Sequence, residues 1–117
     1  QNYPYPAMSW LYPDRGDFIA VVGRMQDINA VRQVKAALLS SRDLSVYSMN
    51  APGFIPGIDF SDHLNYWQHD IPAVMITDTA FYRNKQYHFP GDIADRLNYQ
   101  KMAQVVDGVT TLLYNSK

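Results

Sequence analysis

The 117-residue sequence has no cysteine, which excludes disulfides and thiolate-held zinc and leaves imidazole and carboxylate as the strong metal donors. No apolar run approaches the roughly 20 residues that a membrane-crossing helix needs. The start of the chain lacks the basic and apolar regions of a secretory leader. Charge of one sign is missing as well. The formal net charge is −1, with basic and acidic residues interspersed, so there is no basic face for nucleic acid and no polybasic tract for anionic lipid. There is no HExxH, no histidine pair at i, i+4, no GxSxG elbow and no phosphate-binding glycine loop. By spacing alone, no complete active site is present. The sequence also lacks internal repeats, low-complexity segments and an initiator methionine. Because it opens on Gln1, the chain is expected to be processed or cut from something longer.

What is present is the composition of one globular domain. At 47% hydrophobic and 18% charged residues, a chain of this length buries roughly two thirds of its unfolded surface around one small core. Residues 1–17 carry three prolines and four aromatics among turn formers, which favours an extended segment lying over the core rather than a helix. Phe18 to Val22 is an unbroken β-prone run closed by Gly23, as in a strand covered on both faces. Asp27 is placed to cap a helix with Ile28, Val31, Val34 and Leu38 on its buried stripe. Leu44 to Met49 predicts a second strand, followed by a loop of about ten residues through Pro52-Gly53 and Pro56-Gly57, long for a compact domain and so a candidate functional lip.

Ser61 is a plausible N-cap of a short helix bearing Leu64, Trp67 and Ile71, which Pro72 stops. Ala73 to Thr77 predicts a third buried strand. A long loop through Arg83, His88 and Asp92 follows it. From Asn98 to Tyr114, Tyr99, Met102, Val106, Val109 and Leu113 recur at helical spacing, with Ala103 and Val105 beside the stripe. The alternation of strands and helices predicts an α/β layered fold with a largely parallel sheet.

All three histidines fall between Ser61 and Asp95. His63 is placed to satisfy a hydrogen bond near a helix start, and His69 is an exposed residue at a helix end, helped by the helix dipole. His88 sits in the loop beyond the third strand, where α/β proteins place their chemistry. On the residues alone it is as well read as a structural histidine as a metal ligand.

Three phrases bear on that choice. They are Phe60-Ser61-Asp62-His63, then IPAVMITDTAFYRN from Ile71 to Asn84, then Tyr87-His88-Phe89-Pro90-Gly91-Asp92. In this order they resemble the C-terminal part of the M28 family of aminopeptidase-like zinc peptidases, and FIAVVG and LNYQKMAQVVDGV fit the same pattern. The resemblance implies a phosphorylase/hydrolase-like zinc-exopeptidase fold. It implies that residues 1–117 are a single incomplete domain, the C-terminal half of a peptidase domain.

It further implies a two-zinc exopeptidase in which metal-bound hydroxide attacks a peptide carbonyl. His88 would be a zinc ligand and Tyr87 a hydroxyl donor to the tetrahedral intermediate. Asp62 and His63 would serve as supporting or helix-capping residues, Asp92 would orient the His88 loop, and Asp78 and Arg83 would face substrate. The family's remaining ligand phrases are absent here, so the segment alone is expected to bind little or no zinc and to be inactive.

The resemblance also implies a missing strand and an unfilled slot in the sheet. The expected partners are therefore peptide substrate in the complete enzyme, and the missing N-terminal half or a second copy of the chain as a homo-oligomer. Family habit favours an extracytoplasmic location. Two other readings stay open: a non-catalytic relative or fragment acting as a binding or assembly module, and an acyl-transfer relative of glutaminyl cyclase type.

Overall fold

The computed structural model describes residues 1–41, 43–51 and 62–115. The long loop expected after the second strand, and Ser61 as a helix cap, lie outside the described residues. Phe18–Gly23 forms the central strand β1, as its β-prone composition requires. Helix α2, Ile28–Leu39, returns the chain to β2, Ser45–Asn50. This strand lies parallel to β1, with Ile19 opposite Val46 and Val21 opposite Ser48. Helix α3, His63–Gln68, leads to β3, Val74–Thr77, and α4 spans Tyr99–Asn115. The α/β alternation predicted from sequence is present.

Two expectations about the sheet are corrected. The strand order is β2-β1-β3, and β3 runs antiparallel to β1, with Val21 opposite Ile76. The sheet is therefore mixed rather than largely parallel. It also has no empty slot among the described residues, because β3 pairs directly with the edge of β1 that the missing strand was expected to occupy. Unpaired backbone groups at a strand edge are costly when shielded from water, and this pairing satisfies them.

Alternation along the strands divides the side chains between two faces. On one face Val21, Val46, Val31, Val34, Leu38 and Leu44 form the core, with Ile19, Val74, Ile76, Val105, Val109 and Leu112 packed against it. Helices α2 and α4 cover this face. Between them Gly108 is buried, and a Cβ built there would lie 2.7 Å from Leu38 Cδ2 and 2.9 Å from Leu38 Cα. The absence of a side chain at Gly108 is what lets the helices approach so closely.

The opposite face carries Phe18, Ala20, Val22, Met49 and Met75. Residues 1–17 cross part of it. They include one helical turn, α1, Met8–Leu11, where an extended path was predicted.

Three further details differ from expectation. Asp27 makes no capping bond to α2. It is 4% exposed, and its two carboxylate oxygens accept hydrogen bonds from Arg24 Nε at 2.8 Å and Nη2 at 3.0 Å. Ile28 and Ile71 are exposed rather than part of buried stripes. In α4, the residues packed on the core are Val105, Val109 and Leu112, whereas Tyr99, Met102, Val106 and Leu113 from the predicted stripe are exposed.

Candidate functional site

The loop that follows β3 is built from bends that ordinary residues resist. Among the described residues five non-glycine residues are found at positive φ, and three of them, Thr79 at 71°, Ala80 at 46° and His88 at 62°, lie between β3 and Asp92. Each such residue costs on the order of 1–2 kcal/mol relative to a right-handed conformation. Local hydrogen bonds hold the bends in place. The Thr79 N–H donates to Thr77 Oγ1 and the Ala80 N–H donates to Asp78 Oδ1, both at 3.0 Å.

Further along, the Phe89 N–H donates to the Gln86 carbonyl at 2.7 Å, closing a turn around His88. Asn84 organises the base of that turn. Its Nδ2 donates to Asp92 Oδ1 at 2.9 Å, while its Oδ1 accepts from the Gln86 N–H and from Arg96 Nη1, each at 3.0 Å.

The result is an exposed imidazole stacked on its neighbour. The His88 ring lies 4.0 Å from the Tyr87 ring with 17° between planes. Tyr87 is half-buried, with Phe81 6.1 Å away on another side, and its ring lines a cavity of about 460 Å³ on the sheet face opposite α2 and α4. Tyr3, Tyr12, Tyr47, Met49 and Met75 form much of the apolar wall, and Asp78 and Thr79 add polar atoms at its edge.

Desolvation by burial pushes the Tyr3, Tyr12 and Tyr82 phenols above their ordinary range. In Tyr3, Arg83 partly opposes this, because a cation favours the phenolate. The Tyr12 hydroxyl donates to the Ser48 carbonyl at 3.0 Å, and Tyr3 donates to that of Pro13.

Arg83 is half-buried against the start of the chain. Its Nε donates to Gln1 Oε1 at 2.9 Å and its guanidinium lies 4.6 Å from the Phe18 ring centre. Burial pulls its pKa down, although Asp78, Tyr3 and Asp17 oppose the shift. Gln1 also accepts from Thr79 Oγ1, and the Asn2 N–H donates to the Tyr82 carbonyl. The first residues of the chain are thereby tied to the loop after β3.

Asp62 and His63 belong to a different part of the molecule. Asp62 precedes α3 without making a capping hydrogen bond through its side chain, so its expected capping role is corrected. His63 is 7% exposed, with its ring edge-on to Trp67 at 4.4 Å. Trp67 Nε1 donates to the Ala73 carbonyl, which ties α3 to the N-terminal end of β3. His88 instead follows the C-terminal end of that strand.

Because β3 is antiparallel to β1, the His88 loop leaves the sheet near the start of β1, not beside the C-terminal ends of β1 and β2. The crevice rule for parallel sheets therefore does not explain its position. Contact with residues 1–17 does.

Among the described residues, no three His, Cys, Asp or Glu side chains gather in a group that could hold a metal ion. These residues alone do not fit a complete zinc centre, which takes three protein ligands in a catalytic site. The wall of tyrosines was missed as a site feature. Its one sequence signal was the density of aromatics in the proline-rich start.

No family model matches the chain, and no solved structure matches it. The chain is 94% identical over all 117 residues to an uncharacterized protein of Escherichia coli strain K12, YfbL. It spans 36% of that protein's length. These findings overturn the assignment to the M28 peptidases drawn from the three sequence phrases, since neither a family model nor the matched protein's name carries it.

Proposed function

We propose that the chain is one segment of a zinc-dependent exopeptidase and contributes to it a single metal ligand, His88, and a cavity wall against which a peptide lies. The supporting observation is the concentration of positive-φ residues in the loop after β3, ending in an exposed imidazole at φ 62°. Backbone strain persists only where the surroundings enforce it, and such strain clusters at functional sites. Here Asn84, Asp92 and Arg96 enforce it. Neutral imidazole is a good zinc donor in the absence of thiolate, and Tyr87 brings a phenol from the same turn to the cavity.

The remaining ligands are assigned to parts of the longer protein outside these 117 residues. A phosphorylase/hydrolase-like zinc-exopeptidase scaffold belongs to this proposal. A bound zinc ion would supply Lewis-acid activation of water. Within the chain, the turn orients His88, Tyr87 offers a hydrogen bond, and the apolar wall excludes water.

The test uses the full-length Escherichia coli protein that is 94% identical to the chain, substituted at the positions that align with those named here. Purified protein is expected to contain zinc and to hydrolyse aminoacyl p-nitroanilides, and His88→Ala to lose most of both. Tyr87→Phe is expected to lower kcat while keeping the metal. Full zinc content in His88→Ala would remove the ligand assignment.

A second reading, a non-catalytic assembly module, is favoured by the amount of exposed apolar surface, including Trp10 at 86% and Leu11 at 75%. Wild-type protein free of zinc and of peptidase activity would favour it.

A further inference from the structure

Helix α4 is apolar over a wider arc than the other described residues cover. At 3.6 residues per turn, Val105, Val109 and Leu112 share one stripe, and these residues pack on the core with α2. Immediately beside them Met102, Leu113 and Val106 form a second stripe, exposed to 45%, 64% and 62% respectively. The ring of Tyr99 extends it by one turn, with its hydroxyl donating to the Ala94 carbonyl at 3.0 Å. Asp107 lies outside both stripes and is exposed.

We propose that this second stripe is the seat of a segment of the longer polypeptide that lies outside these 117 residues, presenting an apolar helix or sheet face to α4. The chain spans 36% of the matched Escherichia coli protein, so nearly two thirds of that polypeptide is available to cover the stripe. A second copy of this chain is the poorer occupant on grounds of area. The stripe exposes on the order of half of the roughly 800 Å² per partner that a stable interface buries. A segment joined by the same backbone is held at an effective concentration in the millimolar range and needs much less area to dock.

Nothing in this assignment depends on zinc or on peptidase activity. It locates a contact on the outer side of the helical layer, away from the His88 loop.

The absence of cysteine from the chain makes a thiol-reporter test direct. Val106→Cys, Leu113→Cys and Asp107→Cys are made singly in the full-length protein, with any cysteines outside this segment replaced by serine, and also in the 117-residue chain. Maleimide labelling under native conditions is expected to be at least 100-fold slower at Val106→Cys and Leu113→Cys than at Asp107→Cys in the full-length protein. In the 117-residue chain all three are expected to react at similar rates.

Equal labelling of the three positions in the full-length protein would overturn the proposal. Protection of the stripe already in the 117-residue chain, rising with its concentration, would overturn it in favour of a second copy. Amide hydrogen exchange along α4 in the two unmodified proteins gives a check free of substitutions, with slower exchange expected in the full-length protein.

Discussion

Gly108→Ala tests how closely α2 and α4 approach. Two effects of opposite sign compete at this site. In a helix interior alanine is favoured over glycine by about 1 kcal/mol, so an open site would be stabilised. At Gly108, however, the new methyl would lie 2.7 Å from Leu38 Cδ2 and 2.9 Å from Leu38 Cα, closer than carbon atoms pack. Leu38 has no exposed surface, so its side chain is confined by the core, and its Cα moves only with α2 itself.

Overpacking of this kind costs about 1–3 kcal/mol, which outweighs the propensity gain over most of its range. The net expectation is a destabilisation of up to about 2 kcal/mol, the difference between those two effects. Urea unfolding followed by the helical dichroism signal measures it, and with a slope of about 1–3 kcal/mol per molar the midpoint should fall visibly. Leu38→Val in the same background should restore little, because the backbone contact at Cα remains. Stabilisation of Gly108→Ala by the full helix-propensity increment would refute the close approach.

The ion pair of partly exposed Arg24 and buried Asp27 gives a second prediction: Arg24→Met leaves the Asp27 carboxylate, 4% exposed, without its two-pronged donor. It should therefore lower the urea midpoint at pH 7 more than Arg24→Met/Asp27→Leu does, and a double variant less stable than the single one would contradict this. Burial raises the Tyr12 phenol above its ordinary value of 10.0, so the folded state favours the neutral form. The resulting stability is intact below about pH 10 and is lost as pH rises through the folded-state value. Tyr12→Phe should flatten the fall of the urea midpoint between pH 9 and pH 11, and an unchanged slope would show that other groups carry it.

The three strands and both longer helices were legible because each is long enough for its own pattern to dominate. The FIAVV run and the spacing of Val31, Val34 and Leu38 need no distant partner to be recognised. Strand direction was not legible. Nothing within Ala73 to Thr77 records whether it will pair parallel or antiparallel with β1.

The capping assignment at Asp27 missed because a stronger partner competes for its carboxylate. A short carboxylate before a helix is a good cap only when no stronger partner competes, and Arg24 offers Asp27 a bidentate, charge-assisted bond. The His88 loop was singled out in the sequence because histidine, tyrosine and aspartate are concentrated in it. Its attachment to Gln1 and Asn2 across some 80 residues of sequence depends on tertiary contacts, and its positive-φ bends, held by local hydrogen bonds, fall on Thr79, Ala80 and His88, residue types that do not mark such bends in a sequence.

Helix α4 shows how a sequence pattern and a packing pattern can differ without either being mistaken. Periodicity predicted a stripe of Tyr99, Met102, Val106, Val109 and Leu113, while the core takes Val105, Val109 and Leu112, so the two sets share only Val109. Placed on a helical wheel, their union spans an arc of roughly 140°, wider than the 100° or so of a helix with one buried face. A single neighbour such as α2 covers about half of it. An arc of that width is expected of a helix with two apolar neighbours, one on each side of Val109. The exposed half is the part that the proposed segment of the longer polypeptide would fill, which is why labelling at Val106 and Leu113 decides between a helix with one neighbour and a helix with two.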